Sequence, residues 1–341
     1  MKRRSLLKLS GYLGGAALAT RMGKLQPALA QASQLSPTLI MQLDWMFNVQ
    51  FAGLLLADHL GLYQQRGVDV VIQPWTEGLV VPDEVAANPL MIGCAEQNLI
   101  LDAQANGAPL KAIATMFQAS PYALMTLPDS GITTLSDLTG KTVGVHVDGV
   151  KVMELVKGIN NLPDIQVIEV PYANKLDRLL NGEVDALQCY AVDEPIGFIQ
   201  QVGQAPTLFQ MDEYVYKAYA QVFFATDTLL EQQPEQVRAF LEASFTGWQQ
   251  ALADIPSTAQ RVAETYAAVD SKYTNIEYQT QSLQLISEYV LRGIDAARIG
   301  TISAEQWQQT ADLMAEYDII AAAPDAETSL DLSLWSGMDQ V

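Results

Sequence analysis

The sequence predicts an α/β protein made of two α/β lobes joined by a two-segment hinge. Three observations lead there. Short apolar runs alternate with helical patterns from about residue 38 to about residue 220, which indicates parallel sheets with helical crossovers. From residue 232 onward the pattern is almost entirely helical, at 234–253, 257–268, 275–293 and 303–317. Helices without strands build no sheet of their own, so these are expected to return and cover the first unit. Two extended apolar segments, Tyr-Ala-Leu-Met-Thr at 122–126 and Gln-Val-Phe-Phe-Ala-Thr at 221–226, are expected to be the crossings between lobes. The predicted division is residues 36–122 plus 222–330 for lobe 1 and 123–221 for lobe 2.

In chain order, an apolar strand at 38–43 runs into Asp44, Trp45 and Asn48, and a helical pattern at 51–65 stops at Arg66-Gly67. A strand at 68–73 is followed by Trp75, read as a structural or rim aromatic, and a turn-rich stretch. A third strand at 90–93 ends in Cys94-Ala95-Glu96-Gln97, where a helix opens and runs to Asn106-Gly107. The second unit begins after Pro121. Residues 136–145 make a short helix, a turn and a strand, followed by a helix at 149–159, a strand at 166–170, a helix at 174–181 and a strand at 186–189.

The first thirty residues stand apart. Lys2, Arg3, Arg4 and Lys8 make a basic start, residues 9–19 are apolar and small, and Ala28-Leu29-Ala30 closes the segment. These are the parts of an export signal, with cleavage expected before Gln31. About a dozen apolar residues fall short of the roughly 20 that span a bilayer. Arg3-Arg4 with Leu6-Leu7-Lys8 resembles the twin-arginine signal, an address and not an anchor, although Lys2 and Leu6 stand where that pattern prefers Ser or Thr and Phe. No Cys follows the segment, so the mature chain is expected to be periplasmic, monomeric and not inserted in the membrane.

Loss of the six basic residues of this segment, which holds no acid, moves the formal charge from −20 to −26. So acidic a chain disfavours nucleic-acid and anionic-membrane partners. Cys94 and Cys189 permit a disulfide in an oxidising compartment, but each ends an apolar run that reads as a separate strand, and two buried thiols are the preferred reading. His59 and His146 are the only histidines and no CxxC occurs, so no metal or cofactor is expected.

Further motifs carry a resemblance. Leu43-Asp44-Trp45 with Asn48, the Gly61-Leu62-Tyr63 … Gly67-Val68-Asp69-Val70 run, Asp137-Leu138-x-Gly140-Lys141-x-Val143-Gly144, Gly182-x-Val184-Asp185-Ala186 and Tyr190-x-x-Asp193-Glu194-Pro195 together resemble the thiamine-pyrimidine-precursor group of periplasmic binding proteins. The Gly-Lys-x-Val-Gly element is shared by many substrate-binding proteins; the others are narrower. The chain departs from the group at Phe47 and Phe51, where Pro and His are frequent, which makes the first-lobe loop more apolar. The resemblance implies a periplasmic binding protein type II-like fold, hinge closure on a small molecule, and an ABC permease with its ATPase as partners. A pyrimidine precursor of thiamine is the leading ligand, with a flavin, another heterocycle or an organosulfonate open.

In open α/β sheets ligands sit beyond the carboxyl ends of the strands. Those ends supply Asp44, Trp45 and Asn48; Glu96 and Gln97; His146, Asp148 and Gly149; and Tyr190, Asp193 and Glu194, with Tyr122 at the first crossing. The set offers aromatic faces, carboxylates and amides and no cluster of Arg or Lys. It suits a neutral or weakly basic nitrogen-rich ring stacked on Trp45 and Tyr190 and hydrogen-bonded to Glu194 and Asn48. Asn48 reads equally as a helix N-cap, and Tyr122 equally as hinge packing. A rival reading is an enzyme on the same scaffold. The resemblance implies that such an enzyme needs a Lys-bound pyridoxal phosphate and a cysteine-rich iron site; Cys94 stands alone, and no lysine is placed in the cleft. The expectation is a receptor, not an enzyme.

Overall fold

Two five-stranded sheets carry the fold of residues 38–214 and 217–335, which the computed structural model describes. The export segment expected at residues 1–30 lies outside the described residues. In the first lobe, β1 (Leu39–Gln42), β2 (Val70–Gln73) and β3 (Met91–Ala95) pair in parallel. Their crossovers are α1 (Ala52–His59) with α2 (Leu62–Gln65), and α3 (Val81–Ala87). α4 (Gln97–Ala105) leads on to β4 (Leu110–Phe117).

The second lobe holds β5 (Tyr122–Thr126), β6 (Thr142–Val145), α5 (Val150–Asn160), β7 (Gln166–Glu169), α6 (Lys175–Leu180), β8 (Ala186–Tyr190), α7 (Glu194–Val202) and β9 (Thr207–Gln210). The chain then returns as β10 (Ala220–Thr226) to the first sheet. The strand orders, β2-β1-β3-β10-β4 and β7-β6-β8-β5-β9, follow one plan: three parallel strands, then a reversed strand that enters directly after a crossing.

The segments at 122–126 and 221–226 are therefore strands of the sheets and not the crossings themselves. Every residue of β5 and β10 is buried, as suits interior strands covered on both faces. The chain crosses beside them, at 118–121 and again after residue 214, and the two passages are tied where the Ser120 N–H donates to the Ala218 carbonyl at 2.8 Å.

The C-terminal helices return to the first lobe, as expected. α8 (Asp227–Gln232), α9 (Pro234–Ala253), α10 (Ile255–Thr265) and α11 (Ile276–Val290) pack with α1, α2, β10 and β4 around one apolar core. α12 (Ala304–Glu316) and α13 (Ala326–Ser329) pack with α4 and β4. The approach of α1 to α9 depends on glycine: a Cβ on Gly247 would lie 2.1 Å from the Gly53 carbonyl oxygen. This close crossing anchors the helix that follows the Asp44–Asn48 loop.

Three local readings change. The helix expected at 51–65 is a 3-10 turn (Val49–Phe51) and two helices, broken where Gly61 takes a left-handed φ of 66°, a region glycine enters without steric cost. The turn-rich stretch after Trp75 contains α3, whose first turn holds Pro82; proline is tolerated there because that N–H has no helical acceptor. β4 is an additional strand. Cys94 and Cys189 are free, buried and in different sheets.

Candidate functional site

Both lobes belong to the compact unit that begins at Ser36, and a cavity of about 320 Å³ lies between them. The carboxyl ends of six parallel strands supply its walls. From the first lobe come Asp44 and Trp45 after β1, Trp75 after β2, and Glu96 after β3. From the second come His146 and Asp148 after β6, Tyr172 after β7, and Tyr190 at the end of β8. This is the position that strand topology favours, because strand ends and helix starts leave polar backbone groups free there.

Three aromatic rings meet in the cavity. Trp45 stacks on Trp75 with centroids 5.3 Å apart and planes 20° apart. Tyr172 reaches across from the second lobe to both, at 5.2 and 5.1 Å, and His146 lies against Tyr172 at 4.0 Å. The two tryptophan loops are joined by a backbone bond from Trp75 N–H to the Trp45 carbonyl at 3.1 Å. Trp45 Nε1 donates to the Tyr273 hydroxyl at 2.8 Å, which holds the indole plane from behind.

The carboxyl groups divide by partner. The Lys175 ammonium pairs with Glu194 at 2.5 Å, Lys151 with Asp102 at 2.6 Å and Lys272 with Asp193 at 2.9 Å. Asp193 also accepts from the hydroxyls of Tyr273 at 3.0 Å and Tyr278 at 2.5 Å. Burial raises Glu194, but Lys175 and then Lys272 outweigh it and hold the carboxyl down at about 2.

Asp44, Glu96 and Asp148 have no Lys or Arg within 4 Å among the described residues. Asp44 accepts from the Gln221 amide at 3.1 and 3.2 Å, and burial pushes it up to about 7. Glu96 accepts from the Tyr190 hydroxyl and from Ser120 Oγ at 2.9 Å; burial, with the charge of Asp44 adding, lifts it to about 8. Burial raises Asp148 as well. His146 is pushed down to about 3 by burial and then by Lys175, so it is a neutral imidazole. Its Nε2 is buried without a hydrogen-bond partner among the described residues.

Of the twelve residues expected at the site, eight line the cavity: Asp44, Trp45, Glu96, His146, Asp148, Tyr190, Asp193 and Glu194. Four stand behind it. Asn48 is the N-cap of the 3-10 turn, its Oδ1 accepting from Gln50 N–H at 2.6 Å. Gln97 is buried and bonds the backbone of Tyr219 and Trp307. Tyr122 packs in the core. At Gly149 a Cβ would meet Gln188 Oε1 at 2.1 Å and the Tyr122 hydroxyl at 2.5 Å, so the glycine serves a close approach within the second lobe.

Phe51 is a core residue and Phe47 packs edge-on against Tyr266, at 5.9 Å. Neither is in the cavity wall, so these departures do not shape it. Contrary to expectation, lysines do reach the cleft: Lys151 and Lys175 line it. Tyr172 and Gln188 were also missed; the first lies in a loop after an unremarkable strand, the second inside an apolar run. Gln221, behind Asp44, has a left-handed φ of 53° inside β10, a conformation costing about 1 kcal/mol for a residue with a Cβ.

A family model described as NMT1/THI5 like matches residues 48–259. The chain belongs to the NMT1/THI5-like family. Among NMT1/THI5-like relatives, it is 23% identical over 312 residues to riboflavin-binding protein RibY of Chloroflexus aurantiacus, covering 88% of each chain. It is 25% identical over 225 residues to 4-amino-5-hydroxymethyl-2-methylpyrimidine phosphate synthase of Legionella pneumophila, covering 63% of this chain and 69% of that one. The fold is that of periplasmic binding proteins. The ligand-binding component of an ABC-type import system from Staphylococcus aureus superimposes with a TM-score of 0.65 at 13% identity, over 90% of this chain and 100% of the other.

Proposed function

We propose that the protein is an extracytoplasmic solute-binding receptor of an ABC importer that takes a planar, nitrogen-rich aromatic heterocycle, with thiamine pyrimidine precursors and flavins as the candidates. The observation that carries this reading is the meeting of Trp45 and Trp75 from one lobe with Tyr172 from the other in a single cavity. A ring bound there touches both lobes, and a ligand that touches both favours the closed arrangement by its differential affinity. The boundaries expected at 122/123 and 221/222 shift to the paired passages at Ser120 and Ala218, and the lobes move about those passages. The shift follows because Tyr122 opens a strand of the second sheet, and Ala220 and Gln221 open one of the first. A permease and its ATPase are the partners, and residues 1–30 direct export.

The flavin candidate draws on the match to RibY, which runs the length of both chains; the pyrimidine draws on the shorter match to the synthase. A receptor is preferred to a synthase because the match to a binding protein is the longer one. The Lys175 Nζ is also already engaged by Glu194 at 2.5 Å.

The test is mass spectrometry of small molecules that co-purify with the protein, followed by thermal-shift titration with riboflavin and with 4-amino-5-hydroxymethyl-2-methylpyrimidine. The expected result is an aromatic heterocycle that raises the melting temperature of the parent and not of Trp45→Ala. Equal stabilisation of both proteins sinks the site, and formation of 4-amino-5-hydroxymethyl-2-methylpyrimidine phosphate by the purified chain, the product named for the synthase relative, sinks the receptor reading.

A further inference from the structure

The cavity holds three carboxyl groups to which the described residues bring no lysine or arginine within 4 Å. Asp102, Asp193 and Glu194 each have a lysine. Asp44, Glu96 and Asp148 have none within 4 Å among the described residues, and each is held only by neutral donors: Gln221, Ser120 with Tyr190, and Gln188 with Tyr172. His146, 4% exposed, faces the same space as a neutral imidazole with an unpartnered Nε2. The faces of Trp45, Trp75 and Tyr172 add negative potential, since an aromatic ring attracts cations to its face.

Resting on the receptor reading above, we propose that the ligand is bound as a cation: a planar nitrogen heterocycle carrying positive charge, seated against the cluster of Trp45, Trp75 and Tyr172 rings with its N–H groups directed to Asp44, Glu96 and Asp148. His146 Nε2 supplies one further neutral hydrogen bond. An anion would meet three carboxyl groups and three ring faces, and among the described residues the lining lysines, Lys151 and Lys175, are already paired with Asp102 and Glu194. A neutral ring would gain stacking, about 0.5–1.5 kcal/mol per aromatic pair, and hydrogen bonds to the carboxyl groups, but it would bring no opposite charge to them, whereas a cation makes the bonds ionic on both sides.

Proton release accompanies such binding. Burial lifts Glu96 to about 8 and Asp44 to about 7, and a bound cation favours their ionised forms, so the displaced protons pass to solvent. The groups facing this trio are the Tyr190 and Tyr172 hydroxyls, the Cys94 thiol, His146, and the Lys151–Asp102, Lys175–Glu194 and Lys272–Asp193 pairs. Burial pushes the thiol and the phenols upward, which leaves the carboxyl groups to carry the effect.

Calorimetry with two cation–neutral pairs tests the proposal: the isosteric N-methyl-4-aminopyridinium and 4-methylaniline, and the larger thiamine and riboflavin, which differ in shape as well as charge, with ethanesulfonate as the anion. A cation of fixed charge is expected to bind at least about tenfold more tightly than its neutral partner at about pH 8. Its affinity should fall by up to about tenfold per pH unit toward pH 6, the slope for one released proton, with the heat varying with buffer ionisation enthalpy as proton release requires. In Glu96→Gln that pH slope should flatten. Equal affinity within the pairs, or a cation affinity flat over this range, overturns the inference. So does a failure of both cations to bind, and if riboflavin binds in that case, the receptor reading survives alone.

Discussion

The six carboxylates around the cleft fall into two regions with opposite electrostatics. In the paired region, Asp102, Asp193 and Glu194 are each matched by a lysine from another element. In the unpaired region, Asp44, Glu96 and Asp148 are matched within hydrogen-bond reach, among the described residues, by amides and hydroxyls. The same residue types are structural in one region and poised in the other. Burial acts on both, and a neighbouring cation decides its outcome: Glu194 is held at about 2, whereas Glu96 rises to about 8. Two of the lysine pairs also join the lobes, Lys151 of α5 with Asp102 of α4 and Lys272, before α11, with Asp193, before α7.

The paired region breaks with the largest effect. Glu194→Ala leaves the Lys175 ammonium, 11% exposed, without its partner, and an expected loss of about 3 kcal/mol follows from an uncompensated buried charge. Urea denaturation checks this, and an unchanged midpoint would erase the distinction between the regions. Glu194 is lowered by its pairing, so its contribution is present above its ordinary value of 4.5 and lost as the pH falls toward 2. The gap between parent and variant should therefore close in acid.

The unpaired region responds with the opposite sign. Glu96 is raised from 4.5 to about 8, so the stability linked to its protonated form is complete below 4.5 and lost as the pH rises through 8. Glu96→Gln should match the parent near pH 5 and exceed it near pH 9 by on the order of 2 kcal/mol, read as melting curves at the two pH values. A variant less stable than the parent at high pH would show that the carboxylate is compensated after all.

The aromatic wall is distinguished by ligand binding and not by stability. Trp75→Ala forfeits stacking on Trp45 and an edge contact with Tyr172, about 1 kcal/mol for ring pairs beyond the buried area, together with the bond from its Nε1 to the Leu79 carbonyl at 2.9 Å, and it should remove most of the thermal shift produced by a bound heterocycle. Phe47→Ala, outside the cavity wall and packed on Tyr266, should leave that shift intact. Parallel thermal-shift titrations of the two variants separate wall from surroundings.

The sequence by itself determined the alternation of strands and helices, the return of the C-terminal helices to the first lobe, and the strand ends where Asp44, Trp45, Glu96, His146 and Tyr190 stand. Period and turn residues are local signals, and they carry that much. Only the tertiary structure decided which carboxylates are paired. Lys272 meets Asp193 from 79 residues away and the Tyr190 hydroxyl meets Glu96 from 94; no local pattern encodes such distances. Nor does one show that Asn48 is spent on a cap, that Tyr172 closes over two tryptophans, or that Gln221 turns its backbone left-handed behind Asp44. The polarity of a side chain is written in the sequence, but whether that polarity is satisfied within the protein or left for a ligand depends on what the fold brings beside it.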